Sequence, residues 1–546
     1  MALIAFKTFK KVIAFRNSYS TAGFFLLLVL IYNLIVFYYI NLVLSQTGGI
    51  YVYPLDDSYI HMELAVKFSG TGTWGIENGI FSSASSSPLF LLVNALLIKV
   101  FGNLETLPLI AGILVSNLVL YFIYRFSRLS EINPVWMMIF MISPVLLHVQ
   151  AISGMEHSWH ILLVFVSLVI FNRIIHEQAA KSEIYGFILL LLLLCMVRYE
   201  SMFVVVAFAF GFFVYGKFRW SAATLFLGFL PIVLAGVFFM INGGHFFPNT
   251  LLIKGNLGIQ YDLWSKLQDY ASRIFSLFYQ PNFALPVVIC LGSLIFSFYE
   301  GFYIHKIPFI RIIRSKILII VVISILLMHT MFASFGWLFR YEAYLFVILY
   351  FVTCLEVKYL SKQFLRHKEK VFYSLMLLLV VFSYPRLSYS NEVMKYASKN
   401  IHDQPYQMSR FFKNYYNNSY VMINDIGTTA YYTDAHIIDV VGLASNEILE
   451  SVLMGRDLND ERFIKLFNSL WVDKCKVAFF SDINHSSKVL RMGWVKVGEL
   501  IIKNNVICVS DRIHIYAADD REAIDLKTKL EDFSKSLPDD VIIRFE

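Results

Sequence analysis

Long apolar runs recur along this chain, and the short segments between them carry clustered Lys and Arg. A run of about 20 apolar residues is long enough to cross the hydrocarbon layer of a bilayer. The runs lie at about 21–44, 88–101, 107–124, 134–151, 158–172, 184–197, 202–216, 220–241, 284–299, 317–335, 341–355 and 371–384. Composition agrees: 58% of the 546 residues are hydrophobic and 16% charged, against about 25% charged in soluble domains. The 51 Phe and 32 Tyr suit rings placed at lipid interfaces. The net charge of +7 is scattered between runs and makes no basic patch of the kind nucleic acid requires. A polytopic α-helical membrane protein is the class these features leave.

Basic clusters set orientation, because Lys and Arg favour the cytoplasmic side. They include Lys7, Lys10, Lys11 and Arg16, then Arg125/Arg128, Arg173/Lys181, Lys217/Arg219, Lys306 to Lys316, and Lys358 to Lys370. The first run is longer than the apolar part of a signal peptide and has no small-residue cleavage site, so an uncleaved span is expected. With the N-terminus inside and Arg125 inside, runs 88–101 and 107–124 cross only once between them. Run 88–101, short and broken by Asn94 and Lys99, is expected to lie at or re-enter from the outer interface. That leaves about 11 transmembrane helices within residues 1–390, a first outer loop at about 46–87, and an outward-facing segment 391–546.

In that last segment "SYVMINDIGTTAYYTDAHIIDVVGL" reads as strand, turn, short helix, strand. "KVAFFSD" and "NNVICVSDRIHIYAA" read as further strands and "DREAIDLKTKLEDFSKSL" as an amphipathic helix, giving a periplasmic α/β domain. Of five cysteines, Cys195, Cys290 and Cys354 fall in apolar runs; Cys475 and Cys508 are the pair open to a disulfide.

On this topology the polar clusters "DDSYIH", "SGMEHS", "VRYES", "HFFPNTLLIKGN" and "WLFRYE" share the outer side and converge on one cavity. Asp56 and Asp57 start a helix ended by glycines, where the helix dipole and backbone amides hold a carboxylate. An acid fixed at a membrane surface serves as general base or cation ligand. Arg198 and Glu200, and Arg340 and Glu342, stand two apart and are open to pairing. Glu156 and Asn249 are open to helix-capping roles, and Lys254 to a position with its stem in the interface. His61, one turn beyond Asp57, is open to plain solvation. Asp425, Tyr431 and Asp439 are expected to hold the C-terminal fold or touch acceptor.

The segments "DDSYIHMELAVKFSGTGTWGIENG", "SGME", "VRYES", "FPNTLLIK", "FRYEAY" and "NDIGTTAYYTDAHIIDVVGL" resemble bacterial membrane glycosyltransferases of the GT-C class. The closest pattern is the mycobacterial terminal arabinofuranosyltransferase family. Two stretches depart: Arg198-Tyr199-Glu200-Ser201 stands where the family often has Arg-Pro-Glu-Gly, and Ser82 to Phe90 replaces "EGYTNPLW". The second borders the expected acceptor pocket and leaves sugar and acceptor open. The resemblance implies a GT-C-like fold and transfer of one sugar, with inversion, from a polyprenyl-phosphate carrier to a hydroxyl of a cell-envelope glycan or glycolipid. The setting it implies is the outer face of a bacterial cytoplasmic membrane. Catalytic candidates are Asp56, as base, and Asp57. Arg198, Lys254 and Arg340 are candidates for the donor phosphate, which favours fixed cations and bidentate Arg. His61, Glu156, Glu200, Asn249 and Tyr341 are candidates for substrate contact. No cofactor is required, though Asp56 with Asp57 is a place for a divalent cation. Alternatives are transfer of a whole oligosaccharide or modification of lipid A by the same class, or a transporter or flippase of lipid-linked sugar. A flippase wants polar residues along a path through the bilayer, and here they gather on one side.

Overall fold

The computed structural model of the chain describes residues 18–134, 137–138, 144–254, 263–363, 367–455, 460–481 and 483–546. Lys7, Lys10, Lys11 and Arg16, part of run 134–151, and the side chain of Lys254 lie outside the described residues. Among those described, seven helices are long and apolar enough to cross a membrane. They are α1 (Ser18–Gln46), α4 (Leu107–Leu129), α5 (His157–Ile175), α8 (Phe218–Ile241), α9 (Pro281–Phe298), α11 (Ala343–Gln363) and α12 (Lys368–Ile401). Between them stand shorter apolar helices: α3 (Pro88–Phe101), α6 (Lys181–Val197), α7 (Ser201–Val214) and α10 (Ile317–Phe332). At 14 residues, α3 rises only about 21 Å, less than the hydrocarbon thickness. Its start is set by Ser87, whose hydroxyl accepts the Phe90 N–H, followed by Pro88 in the first turn.

Helix α2 (Asp57–Thr71) fills the first outer loop and stops at Gly72, left-handed at φ +75°, whose N–H reaches Phe68 O. A residue without Cβ adopts that closing conformation at no steric cost. Asp56 sits at the position before this helix but makes no side-chain capping bond to it. Both its carboxylate oxygens instead accept backbone N–H groups from the C-terminal domain, Gly427 at 2.6 Å and Thr428 at 2.8 Å. The acid is thus held by amides, but not those of its own helix.

Helix α12, 34 residues long, continues from the bundle into the C-terminal part as one rod. There, among the described residues, a six-stranded sheet runs β2-β1-β3-β5-β4-β6. Its strands are β1 (Tyr420–Ile423), β2 (His436–Asp439), β3 (Cys475–Phe480), β4 (Val495–Ile501), β5 (Arg512–Ala517) and β6 (Ile542–Phe545). The first three are parallel and the last three antiparallel to their neighbours. Between β1 and β2 lies α13 (Gly427–Tyr432), and α14 (Asp520–Ser534) covers one face, with Asp519 accepting the Glu522 N–H at its start. The expected strand at Asn504–Val509 is a loop, because Asn505 Oδ1 takes the N–H groups of Ile507 and Cys508 and so competes with a ladder. Cys475 and Cys508 are both free.

The domain is seated on the first outer loop and on the turn that follows α3. Tyr432 donates to Glu105, Tyr431 to Asn103, and Glu77 accepts the Ile437 N–H and faces His436 Nδ1 at 3.1 Å. The approach at Gly427 is closest: a Cβ there would fall 2.0 Å from Asp56 O.

Candidate active site

A cavity of about 840 Å³ opens where α2, the α6–α7 corner, the segment after α10 and the C-terminal domain meet. Its polar end carries Asp56, Asp57, His61, Arg198, Glu200, Arg340, Tyr341 and Asp425. Its other wall is apolar, built by Met202, Phe203 and Val206 of α7 with Met328 and Phe332 of α10. A site with one hydrophobic wall and a few converging polar groups suits an amphiphile.

Arg340, 2% exposed, gives Nη2 to Asp57 at 2.5 Å and to the Tyr341 hydroxyl at 3.2 Å, while its Nε and Nη1 have no hydrogen-bond partner among the described residues. A buried donor without an acceptor is costly, so these two N–H groups have capacity left for one. Glu342, the sequence neighbour expected as a partner, pairs instead with Arg386 of α12 at 2.8 Å. Arg198 is differently served. Its Nη1 meets Glu156 at 2.5 Å, and Nε and Nη2 grip Glu200 at 3.0 and 2.5 Å. Burial raises the Glu200 carboxyl, but Arg198 outweighs it and holds the acid down at about 2. Both guanidinium groups lie near the Tyr341 ring, Arg198 at 5.5 Å and Arg340 at 5.0 Å from its centre.

Glu156 precedes α5 without capping it; its role is the Arg198 pair, with His61 Nε2 3.8 Å from its other oxygen. His61 is buried, not solvated, and its Nδ1 lies 3.2 Å from Ser85 Oγ. Burial pushes this imidazole below its ordinary range. Asn249 is fully buried, and its side-chain amide joins Ser83 at 2.8 Å to Asn446 of the C-terminal domain at 2.9 Å. It braces the cavity without lining it, whereas its neighbours Thr250 and Leu251 do line it. The serine-rich stretch from Ser82 therefore props His61 and Asn249 and shows Ala84 and Ser86 to the cavity.

Asp56 is raised to about 7, first by burial, then by the charge of Asp425, against the two amide bonds that favour ionisation. Asp425 accepts from Asn424 and Ser481, while Asp439 takes the N–H groups of Val441 and Ala444 and shapes the turn after β2. Asp425, expected to hold the C-terminal fold or touch acceptor, lines the cavity two residues beyond β1.

A family model described as a domain of unknown function (DUF8728) matches residues 399–518. No curated protein matches the chain. Among solved structures, ArnT from Cupriavidus metallidurans bound to undecaprenyl phosphate is similar at TM-score 0.50 and 12% identity, over 90% of this chain and 98% of that one. The Archaeoglobus fulgidus oligosaccharyltransferase in complex with Zn and sulfate gives TM-score 0.47 and 11% identity, over 93% of this chain and 74% of that one. The fold is thus that of a polytopic helical membrane protein, GT-C-like, with a C-terminal mixed α/β domain.

Proposed function

We propose that this chain is a glycosyltransferase that moves one sugar from a polyprenyl-phosphate carrier to a hydroxyl of a cell-envelope glycan or glycolipid. The observation that carries the reading is Arg340, buried with two unpartnered N–H groups, in a cavity whose other wall is apolar. That pairing fits a phosphate attached to a hydrocarbon chain, and the ArnT structure with the same fold is bound to undecaprenyl phosphate. The isoprenoid lies along Met202, Phe203, Val206, Met328 and Phe332, and the phosphate takes the open edge of Arg340. Asp56 removes the acceptor proton; the freed oxygen bonds to the anomeric carbon as the bond from that carbon to the phosphate oxygen breaks. Configuration inverts, and Arg340 meets the charge that gathers on the leaving phosphate. Arg340 supplies the cation beside Asp57, so no divalent metal is invoked. Lys254 is kept as a further phosphate candidate, and His61, Glu156, Glu200 and Tyr341 as groups for sugar or acceptor hydroxyls.

The same reading places the chain in a bacterial cytoplasmic membrane with about 11 crossings. Residues 1–390 form the transferase bundle, 88–101 lies at the outer interface, and 391–546 is periplasmic. The test is sugar transfer by purified protein from a panel of short-chain polyprenyl-phosphate sugars to envelope extracts, with and without EDTA. One donor is expected to support turnover, and Asp56→Asn to lower it by about 10²–10⁴-fold. Absence of turnover with every donor would sink the transferase reading; full activity in Asp56→Asn would move the base elsewhere.

A further inference from the structure

Just ahead of Arg340 the backbone does something unusual. Gly336, Trp337, Leu338 and Phe339 all have positive φ, at +86°, +43°, +58° and +59°. Glycine takes this conformation freely, but three consecutive L side chains do not. Such a turn persists only where its surroundings over-determine it.

The surroundings do so from three separate stretches of the chain. Glu342 Oε2 accepts the Gly336 N–H at 2.8 Å, closing the turn on itself. Its Oε1 meets Arg386 Nη2 at 2.8 Å. Arg386 in turn donates to Phe339 O at 3.3 Å and to Pro144 O at 2.9 Å, and lies 5.1 Å over the Phe339 ring. Gln150, fully buried, donates to the same Phe339 carbonyl at 3.2 Å. Glu342 is buried as well, and neither it nor Arg386 lines the cavity. Whatever they do for a ligand, they do through the turn.

We propose that Glu342 and Arg386 are positioning residues that clamp Gly336–Phe339 in its left-handed form and thereby aim the open Nε and Nη1 of Arg340 at a phosphate-class anion. The identity of that anion rests on the function proposed above; the clamp does not. With the turn relaxed to ordinary backbone, Arg340 keeps its charge but loses its fixed direction, and bidentate recognition needs direction.

The experiment uses the purified full chain in detergent with undecaprenyl phosphate as the probe, comparing wild type, Glu342→Gln, Arg340→Ala and the double variant. Glu342→Gln is expected to weaken binding by about tenfold, and the double variant to bind no more weakly than Arg340→Ala alone, as expected where one residue acts through the other. Amide hydrogen exchange of the 333–342 segment is expected to quicken in Glu342→Gln while β1 and β3 keep theirs. Arg386→Lys, which retains the charge but not the planar fork, is the milder version and should show the same pattern at smaller size. Additive losses in the double variant, or unchanged binding and exchange in Glu342→Gln, overturn the clamp. A wild type that binds no undecaprenyl phosphate overturns the proposed function and the anion assigned to Arg340. The exchange result then decides the clamp alone.

Discussion

Arg198 and Arg340 line one cavity beside the same Tyr341 ring, yet they are buried on different terms. Arg198 is met by two carboxylates, Glu156 and Glu200, and all three of its nitrogens are engaged. Arg340 has one carboxylate, Asp57, and two nitrogens without acceptors. A buried cation must be paired to offset lost hydration, so the number of partners tells how much capacity is left over. Around Arg198 the charge is already negative, and an incoming phosphate would meet Glu156 and Glu200 as well. Around Arg340 two nitrogens are left with room for an acceptor, which is the place the proposed function gives to the donor phosphate. The two arginines, alike in sequence as outer-cluster cations, divide into one that holds the start of α5 against the α6–α7 corner and one whose hydrogen-bonding capacity is only partly used.

Substitution of each arginine tests the division, and the larger effect belongs to Arg198. Arg198→Ala strands Glu156, which is fully buried, and removing one partner of a buried pair costs about 3–5 kcal/mol. The expected outcome is a marked fall in the unfolding midpoint of the detergent-solubilised protein. Arg340→Ala withdraws one cation from Asp57, whose side chain is 23% exposed at the cavity wall. Its midpoint should hold, while loss of two hydrogen bonds to a charged group, about 3 kcal/mol or more, weakens polyprenyl-phosphate binding by about 10²-fold or more. The reverse pattern, a stable Arg198→Ala that no longer binds and an unstable Arg340→Ala that does, would exchange the two roles.

The contrast was out of reach of the sequence, for a physical reason. Long apolar runs announce helices because a bilayer demands them, and the end of α2 was legible in its glycines. The short unbroken apolar runs Val421–Ile423 and Val477–Phe480 marked strands, whereas β4 carries Lys496 and Glu499 among its apolar residues and stands out less. The short β6 offered too few residues to stand out. Partners are another matter. Glu342 lies two residues from Arg340 but pairs with Arg386 and accepts the Gly336 N–H, and only Gly336 hints at the left-handed turn that these contacts hold. Asp56 is held by the main-chain amides of Gly427 and Thr428, groups every residue except proline carries and that leave no mark in composition. Side-chain chemistry was readable; who meets whom was not.

The two acids at the start of α2, Asp56 and Asp57, are likewise held on different terms. Asp57 is engaged by Arg340, whereas Asp56 is raised to about 7 by burial and by Asp425. A base must be ionised to act, so turnover is expected to fall about tenfold per pH unit below about 7 and to level off above it. Stability moves the other way. A carboxyl raised above its unfolded value of 3.8 contributes stability fully present below that value and lost as pH rises through about 7. The C-terminal domain, seated on this same carboxylate, should therefore release more readily in the pH range where the proposed turnover is fastest. Measuring kcat/KM and the unfolding midpoint from pH 4 to 9, in wild type and Asp56→Asn, reads both slopes. In Asp56→Asn the stability slope between 3.8 and about 7 should flatten, since asparagine still accepts an amide but cannot titrate. A wild-type rate that stays level from pH 5 to 8 would remove Asp56 as the base and leave it as the hinge pin between loop and domain.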